Sequence, residues 1–257
     1  MKTKSISIII PARNEEALIG ATIEAVLRSA ADLCATPAPP DLPGSPVEVI
    51  VVDNASVDRT TEIAARYVED HGVRLVHCMR LKAPCARNFG ARHALGDVLM
   101  FVDADTLVPP DTLRRVLHWC DAEGYEAGIT GLASREGGLL AGLWWRFWCL
   151  VRRLPLARAK AMPACMFCTR AAFDEFGPFD ERVVIGEEWP ILAGLYRARP
   201  ERLIYDRALV ALTSSRRMEL QRWGYLRTLC KYVWAIMHVS GRLEYDDRVR
   251  HVPMEAE

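Results

Sequence analysis

The chain has 257 residues, 51% of them apolar, with 33 basic side chains against 33 acidic ones. That length holds one large domain or two small ones, and the balanced charge excludes a global field steering the protein to nucleic acid. The opening MKTKSISIII carries two lysines and a short apolar run that stops at Pro11 before charged residues, which reads as neither a secretory signal nor a membrane span.

Eight cysteines without such a signal fit reduced thiols in the cytoplasm. The single C-x-x-C, Cys165 to Cys168, lies in an apolar run with no second pair at zinc-site spacing, so it reads as two small buried hydrophobes.

In chain order, SISIIIP reads as a buried strand and NEEALIGATIEAVLRSA, apolar at helical spacing, as a helix. Residues 35–46, ATPAPPDLPGSP, are proline-rich and predict a surface loop. VEVIVVD is a second strand, with Ser56 and Asp58 as caps for the helix after it. VRLVH is a third strand, CARNFGARHAL a short helix and DVLMFVD a fourth strand. This alternation predicts a mostly parallel α/β sheet covered by helices, and no internal repeat is visible.

Polar residues gather where these strands end: Pro11 to Glu15, Asp53 to Ser56, and Asp103 to Asp105. In a parallel sheet such ends share the edge at which open α/β folds bind ligands. Asp103 and Asp105 in DVLMFVDADT would share one side, roughly 6–7 Å apart along an extended chain. Two like charges so placed need a cation or a basic group between them. No G-x-x-x-x-G-K-[ST] or G-x-G-x-x-G loop is present to cradle phosphates, so a phosphate ligand would call for a divalent cation held by such aspartates.

The second half is less regular. Pro109-Pro110-Asp111 starts a helix, TLRRVLHWC, and residues 138–154, GLLAGLWWRFWCLVRRL, are too short and charged to span a bilayer. Gly177-Pro178 predicts a turn, and Glu187 and Glu188 open a helix, where a carboxylate can serve simply to balance the dipole. The tail from Ser214 to Gly241 carries Arg216, Arg217 and Arg222 before an apolar helical pattern.

The series P-A-R-N-E-E, V-V-D-N-A-S-V-D-R-T, A-R-N-F-G-A-R-H-A-L-G-D, F-V-D-A-D-T, F-G-P-F-D-E and G-E-E-W, in order from about Ser5 to Arg217, resembles family 2 glycosyltransferases of the GT-A fold. The resemblance implies a Rossmann-like sheet flanked by helices, in a transferase domain over residues 1–217, with a nucleotide half to about 105, an acceptor half after it, and a helical tail over 218–257. It implies that Pro11, Asn14 and Glu15 shape the nucleotide pocket, that Asp53 meets the base or ribose, and that Arg87 and Asn88 lie near the nucleotide. Asp103 and Asp105 match its D-x-D motif, in which the second carboxylate coordinates Mg²⁺ or Mn²⁺ on the diphosphate. The family's G-E-D ends in the catalytic base; here that position is Glu188, which leaves the assignment between Glu187 and Glu188 open.

By this resemblance the donor is a nucleoside-diphosphate sugar, a UDP-sugar foremost, and transfer to an acceptor hydroxyl inverts configuration. Processive members carry Q-x-x-R-W; this chain has Gln221-Arg222-Trp223 without the spacer, which argues against a polymer-extruding synthase.

Two alternatives stay open on the sequence. LMFVDADT also fits the first motif of haloacid-dehalogenase-type phosphatases, although it comes fourth in the strand series and the only later lysines are Lys160 and Lys231. A non-catalytic sugar-nucleotide-binding or membrane-associated protein is the other. Finally, Trp144, Trp145, Phe147 and Trp148 stand among Arg146, Arg152 and Arg153, and WGYLRTLCKYVWAIMH repeats the mixture. Aromatic and arginine side chains together suit a helix lying in a membrane interface. The expectation is a cytoplasmic enzyme peripheral to the inner face of the membrane with a lipid-linked acceptor, against the alternative of helices packing on the sheet or across a homodimer.

Overall fold

The structure, a computed structural model, describes residues 4–35, 47–154, 164–183, 186–220 and 223–230. The proline-rich loop, Lys160, Lys231 and most of the tail lie outside the described residues.

Four strands and three helices build the first half: β1 (Ile6–Ala12), α1 (Ile19–Ala35), β2 (Val47–Asp53), α2 (Thr60–His71), β3 (Arg74–His77), α3 (Ala83–His93) and β4 (Val98–Val102). The second half holds β5 (Thr106–Leu107), α4 (Thr112–Asp121), β6 (Ala127–Ser134), α5 (Leu139–Val151), β7 (Cys165–Thr169), α6 (Arg170–Phe176), α7 (Trp189–Ala198), β8 (Leu203–Thr213) and α8 (Arg216–Glu219). One sheet joins them in the order β3-β2-β1-β4-β7-β6-β8-β5. Pairing is parallel from β3 to β4 and between β6 and β8, while β7 and β5 run antiparallel to their neighbours.

Alternation along the strands divides the core into two layers. Ile8 and Ile10 of β1 join Val51, Met100, Ile23, Val116 and the tryptophans of α5 on one face. Ile9 joins Ile50, Phe101, Ala86, Ile191 and Leu195 on the other. Cys165 and Cys168, three apart on β7, fall into opposite layers as buried free thiols, and burial pushes the Cys165 thiol up to about 12. Gly90 lets α3 lie close on the sheet, since a Cβ there would stand 2.5 Å from Ile9 Cγ2.

Three local expectations are corrected. Helix α1 begins at Ile19, because residues before it turn first, with the Leu18 and Ile19 amides donating to the Glu15 carbonyl. Ser56 does not cap α2: its hydroxyl accepts from the Asn14 amide at 3.2 Å, and Asp58 alone takes the Thr60 amide at 3.0 Å. The tryptophans of α5 do not face outward. Trp144, Trp145 and Trp148 are buried against the sheet, as is Arg152, and the outward stripe is Leu139, Leu140, Leu143, Arg146, Phe147, Leu150 and Arg153. The largest rings bury the most apolar area, so they take the inner face. No helix among the described residues is long and apolar enough to cross a membrane.

Candidate active site

The C-terminal ends of β1, β2, β3 and β4 lie along one edge. Pro11 is the penultimate residue of β1. Asn14 follows with φ of 52°, and its Oδ1 accepts from the Val57 amide at 2.9 Å, tying the β1 loop to the β2 loop. Glu15 is buried; its amide donates to Thr60 Oγ1 at 2.7 Å, and its carboxylate pairs with Arg216, 201 positions further on. Asp53, also buried, accepts from the Ser56 amide at 3.2 Å and has His77 Nδ1 at 3.2 Å.

Asp103 and Asp105 are not arranged as an extended strand would place them. Strand β4 stops at Val102 and the chain turns, the Thr106 amide donating to the Asp103 carbonyl at 3.0 Å. Asp103 meets Arg87 Nη2 at 2.5 Å. Asp105 accepts from the Thr106 and Thr213 hydroxyls, each at 3.3 Å. Both carboxylates are partly exposed at the strand tip.

Arg87 is the hinge of the site. It sits in the second turn of α3 and is 3% exposed, donating to Asp103 with one nitrogen and to Glu187 Oε1 with the other at 2.9 Å. Its guanidinium also lies 5.7 Å from the Phe179 ring centroid. Burial would lower its pKa, but Asp103 and Glu187 outweigh that and raise it. Asn88, one residue on, is committed to the chain at Phe179: Nδ2 donates to the Phe179 carbonyl and Oδ1 accepts its amide, both at 2.9 Å. It thereby fixes Phe179 next to Asp180, whose amide donates to the Glu187 carbonyl at 2.8 Å.

Glu187 and Glu188 follow Gly186, whose φ of 83° favours glycine. Both are buried where α7 begins, Glu188 being its N-cap residue. Burial raises the pKa of Glu187 against the pull of Arg87. Burial, and then the charge of Glu187, push Glu188 up to about 8. Glu188 Oε2 is buried with no hydrogen-bond partner among the described residues. An orphaned buried carboxylate oxygen in a polar site is a mark of function rather than of packing.

The fold thus brings Arg87, Asp103, Glu187 and Glu188 together, and gathers Asn14, Glu15 and Asp53 along the same edge. Sequence reasoning missed His77, Asn54, Thr213 and the Arg216–Glu15 pair. His77 was legible as a polar residue ending an apolar strand, like the other three strand ends. Asn54 stands in a quoted motif, and its amide nitrogen holds the Cys78 and Arg80 carbonyls at 2.9 and 2.8 Å. Thr213 and Arg216 reach the site through the non-local pairings of β8, Thr213 lying opposite Thr106 of β5 and Ser134 of β6.

Among known proteins, the chain is 31% identical over 143 residues to an undecaprenyl-phosphate 4-deoxy-4-formamido-L-arabinose transferase of Pectobacterium carotovorum subsp. carotovorum, covering 54% of this chain and 40% of that one. It thus spans well under half the length of that relative. It is 39% identical over 90 residues to a succinoglycan biosynthesis protein of Rhizobium meliloti, covering 35% of this chain and 26% of the other. A mannosyltransferase of Pyrobaculum calidifontis, solved with GDP-Man and Mn²⁺, superposes with a TM-score of 0.60 at 23% identity over 83% of this chain and 58% of its own. Glucosyl-3-phosphoglycerate synthase of Mycobacterium tuberculosis, solved with Mn²⁺, UDP and phosphoglyceric acid, gives 0.63 at 20% identity over 93% and 80%. These likenesses show the GT-A fold. The family described as glycosyl transferase family 2 matches residues 7–173, well over half of the chain. The protein is a member of glycosyl transferase family 2.

Proposed function

We propose that the protein moves a sugar from a nucleoside-diphosphate sugar to an acceptor hydroxyl with inversion. The observation that carries this reading is Arg87, which ties the aspartate-bearing tip of β4 to the glutamate pair opening α7. A leaving-group site and a proton-accepting site are thereby held within one guanidinium's reach. Glu188 takes the acceptor proton, the acceptor oxygen bonds to the anomeric carbon, and the bond from that carbon to the diphosphate breaks. Arg87 positions Asp103 and Glu187 and keeps their charges compensated.

Asp105, with Asp103 beside it, would hold Mg²⁺ or Mn²⁺. The donor set fits: both offer hard carboxylate oxygens at a partly exposed strand tip. No group of three His, Cys, Asp or Glu among the described residues could hold a metal alone, so diphosphate oxygens would complete the shell. A cation bound there supplies positive charge against the departing diphosphate.

An apolar, lipid-linked acceptor is the finer reading. It is supported by the outward stripe of α5, where Leu139, Leu140, Leu143, Phe147 and Leu150 are all exposed, with Arg146 and Arg153 beside them. Leu220, Trp223 and Leu226 extend the apolar surface next to it, Tyr225 packing 5.7 Å from Trp144. A 13-residue helix of this kind suits the plane of an anionic membrane interface.

The test is a thermal-shift panel of UDP, GDP, ADP and CDP with and without Mn²⁺. A ligand at 100 times its Kd stabilises by about 2.7 kcal/mol, or roughly 5–10 °C for a domain this size. One nucleotide should do so only with metal. No shift from any of the four overturns the reading, and phosphate release from an aryl phosphate would restore the phosphatase alternative.

A further inference from the structure

We infer that His77, acting with Asp53, reads the nucleobase of the donor and selects a base whose pairing edge carries a ring N–H next to a carbonyl group. The inference rests on the nucleotide reading of the strand ends and names a residue that the family motifs do not include.

His77 ends the edge strand β3 and stands directly beside Asp53 in the parallel ladder. The two side chains differ sharply in exposure, His77 being 55% exposed and Asp53 8%. The carboxylate can only accept, so the Nδ1 of His77, 3.2 Å away, carries the hydrogen. In the neutral ring this leaves Nε2 as an acceptor on the opposite side of the imidazole. Asp53 is anchored in turn by the Ser56 amide.

The chain beyond His77 is held firmly. The Cys78 amide donates to the Asp53 carbonyl at 2.8 Å. Asn54 then grips the Cys78 and Arg80 carbonyls through Nδ2 and the Lys82 amide through Oδ1. A buried asparagine with its amide group spent on one loop is a preorganising device. The loops that follow β2 and β3 also carry Val57 and Met79, 90% and 78% exposed. Val57 follows Asp53 by four residues and Met79 follows His77 by two, and apolar side chains left in water offer a flat base something to pack on.

The pair presents acceptors at its polar tip: Nε2 and the remaining lone pairs of Asp53. Uracil and guanine present a ring N–H there, at N3 and N1. Cytosine N3 and adenine N1 are lone pairs, which would face acceptors unpaired. A site built to hydrogen-bond a donor rejects the analogue lacking it far more strongly than a merely apolar site does. UDP or GDP should therefore bind better than CDP or ADP.

The experiment measures Kd for the four nucleoside diphosphates in Mn²⁺, by calorimetry, for the wild type, His77→Phe and His77→Gln. Phenylalanine keeps the ring area and removes the nitrogens; glutamine keeps a carbonyl acceptor. The wild type should prefer its keto-base nucleotide to CDP and ADP by about tenfold or more, the worth of one well-made hydrogen bond. In His77→Phe that ratio should collapse to within about threefold, through weaker binding of the preferred nucleotide, with His77→Gln between. A general loss of stability would weaken all four alike and leave the ratio intact. An unchanged ratio in both variants, with wild-type binding established, overturns the role of His77 alone. Absence of nucleotide binding by the wild type overturns the nucleotide reading and this inference with it.

Discussion

Replacing Arg87 by methionine removes a cation that Asp103 and Glu187 share, while keeping most of the side chain's length. Removing one partner of a buried ion pair costs about 3–5 kcal/mol, because the charge left behind is uncompensated. The two carboxylates will not share that cost equally. The Asp103 side chain is 29% exposed and can draw in water, whereas that of Glu187 is 9% exposed and cannot. At roughly 2–4 °C per kcal/mol for a chain of this size, Tm should fall by roughly 6–20 °C at pH 8. The sign of the pH dependence follows from Glu187, whose pKa burial already raises above 4.5 and would raise further without Arg87. A raised carboxyl favours the fold in its protonated form, so its contribution is full below about 4.5 and is lost as pH rises through the folded value. The deficit of Arg87→Met should therefore shrink between pH 8 and pH 5. Arg87→Lys keeps the charge without the two-pronged geometry and should fall between. Scanning calorimetry of the three proteins at both pH values measures this. A loss under about 2 °C at pH 8, or a deficit equal at both pH values, would refute the structural weight given to Arg87.

Glu188→Gln should lower nucleoside-diphosphate release by about 10²- to 10⁴-fold with little change in donor affinity, and Glu187→Gln by less; the reverse ranking reassigns the base. With Glu188 at about 8, wild-type turnover should climb as pH rises through about 8, and that limb should be absent in Glu188→Gln. Lys82 holds a φ of 112° just before α3, a strain worth about 1–3 kcal/mol, less about 0.5–1 for the freer unfolded chain of glycine. Lys82→Gly should therefore raise Tm by a few degrees, and a lowered Tm would remove strain from the account. Wild type should co-sediment with vesicles of mixed anionic lipid at low salt, and Leu143→Ser with Phe147→Ser should abolish it; a stable dimer with no vesicle binding would assign the α5 stripe to a second copy.

The first half of this fold was legible because it is local. Each strand is a near-continuous apolar run, each helix repeats at 3.6, and each polar end follows its strand directly, so Asn14, Asp53 and Asp103 could be placed on one edge from spacing alone. The second half was not, because its pairings are distant: Glu15 meets Arg216 across 201 positions, and Thr213 reaches Asp105 across 108. The aspartate pair shows where pattern misleads. Its period of two assumes an extended chain, and the hydrogen bond from Thr106 to the Asp103 carbonyl bends it instead. Helix α5 misled for another reason. It is apolar on both faces, and composition does not say that the tryptophans go inward and the leucines outward. Arg87 stood in a recognised motif, but that it bridges two acidic segments depends on α3 packing through Gly90 and on the contacts that hold Phe179 to Asn88 and Glu187 to Arg87.

The central claim is that the carboxylates at the tip of β4 hold a divalent cation for a diphosphate, and Asp105→Asn tests it most directly by keeping shape while removing charge. Calorimetric titration of UDP or GDP, whichever the wild type prefers, should give strong binding in Mn²⁺ and weak binding in EDTA. The variant should bind weakly in both, with its EDTA affinity matching the wild type's. Equal affinity of the two proteins in Mn²⁺ would contradict the account.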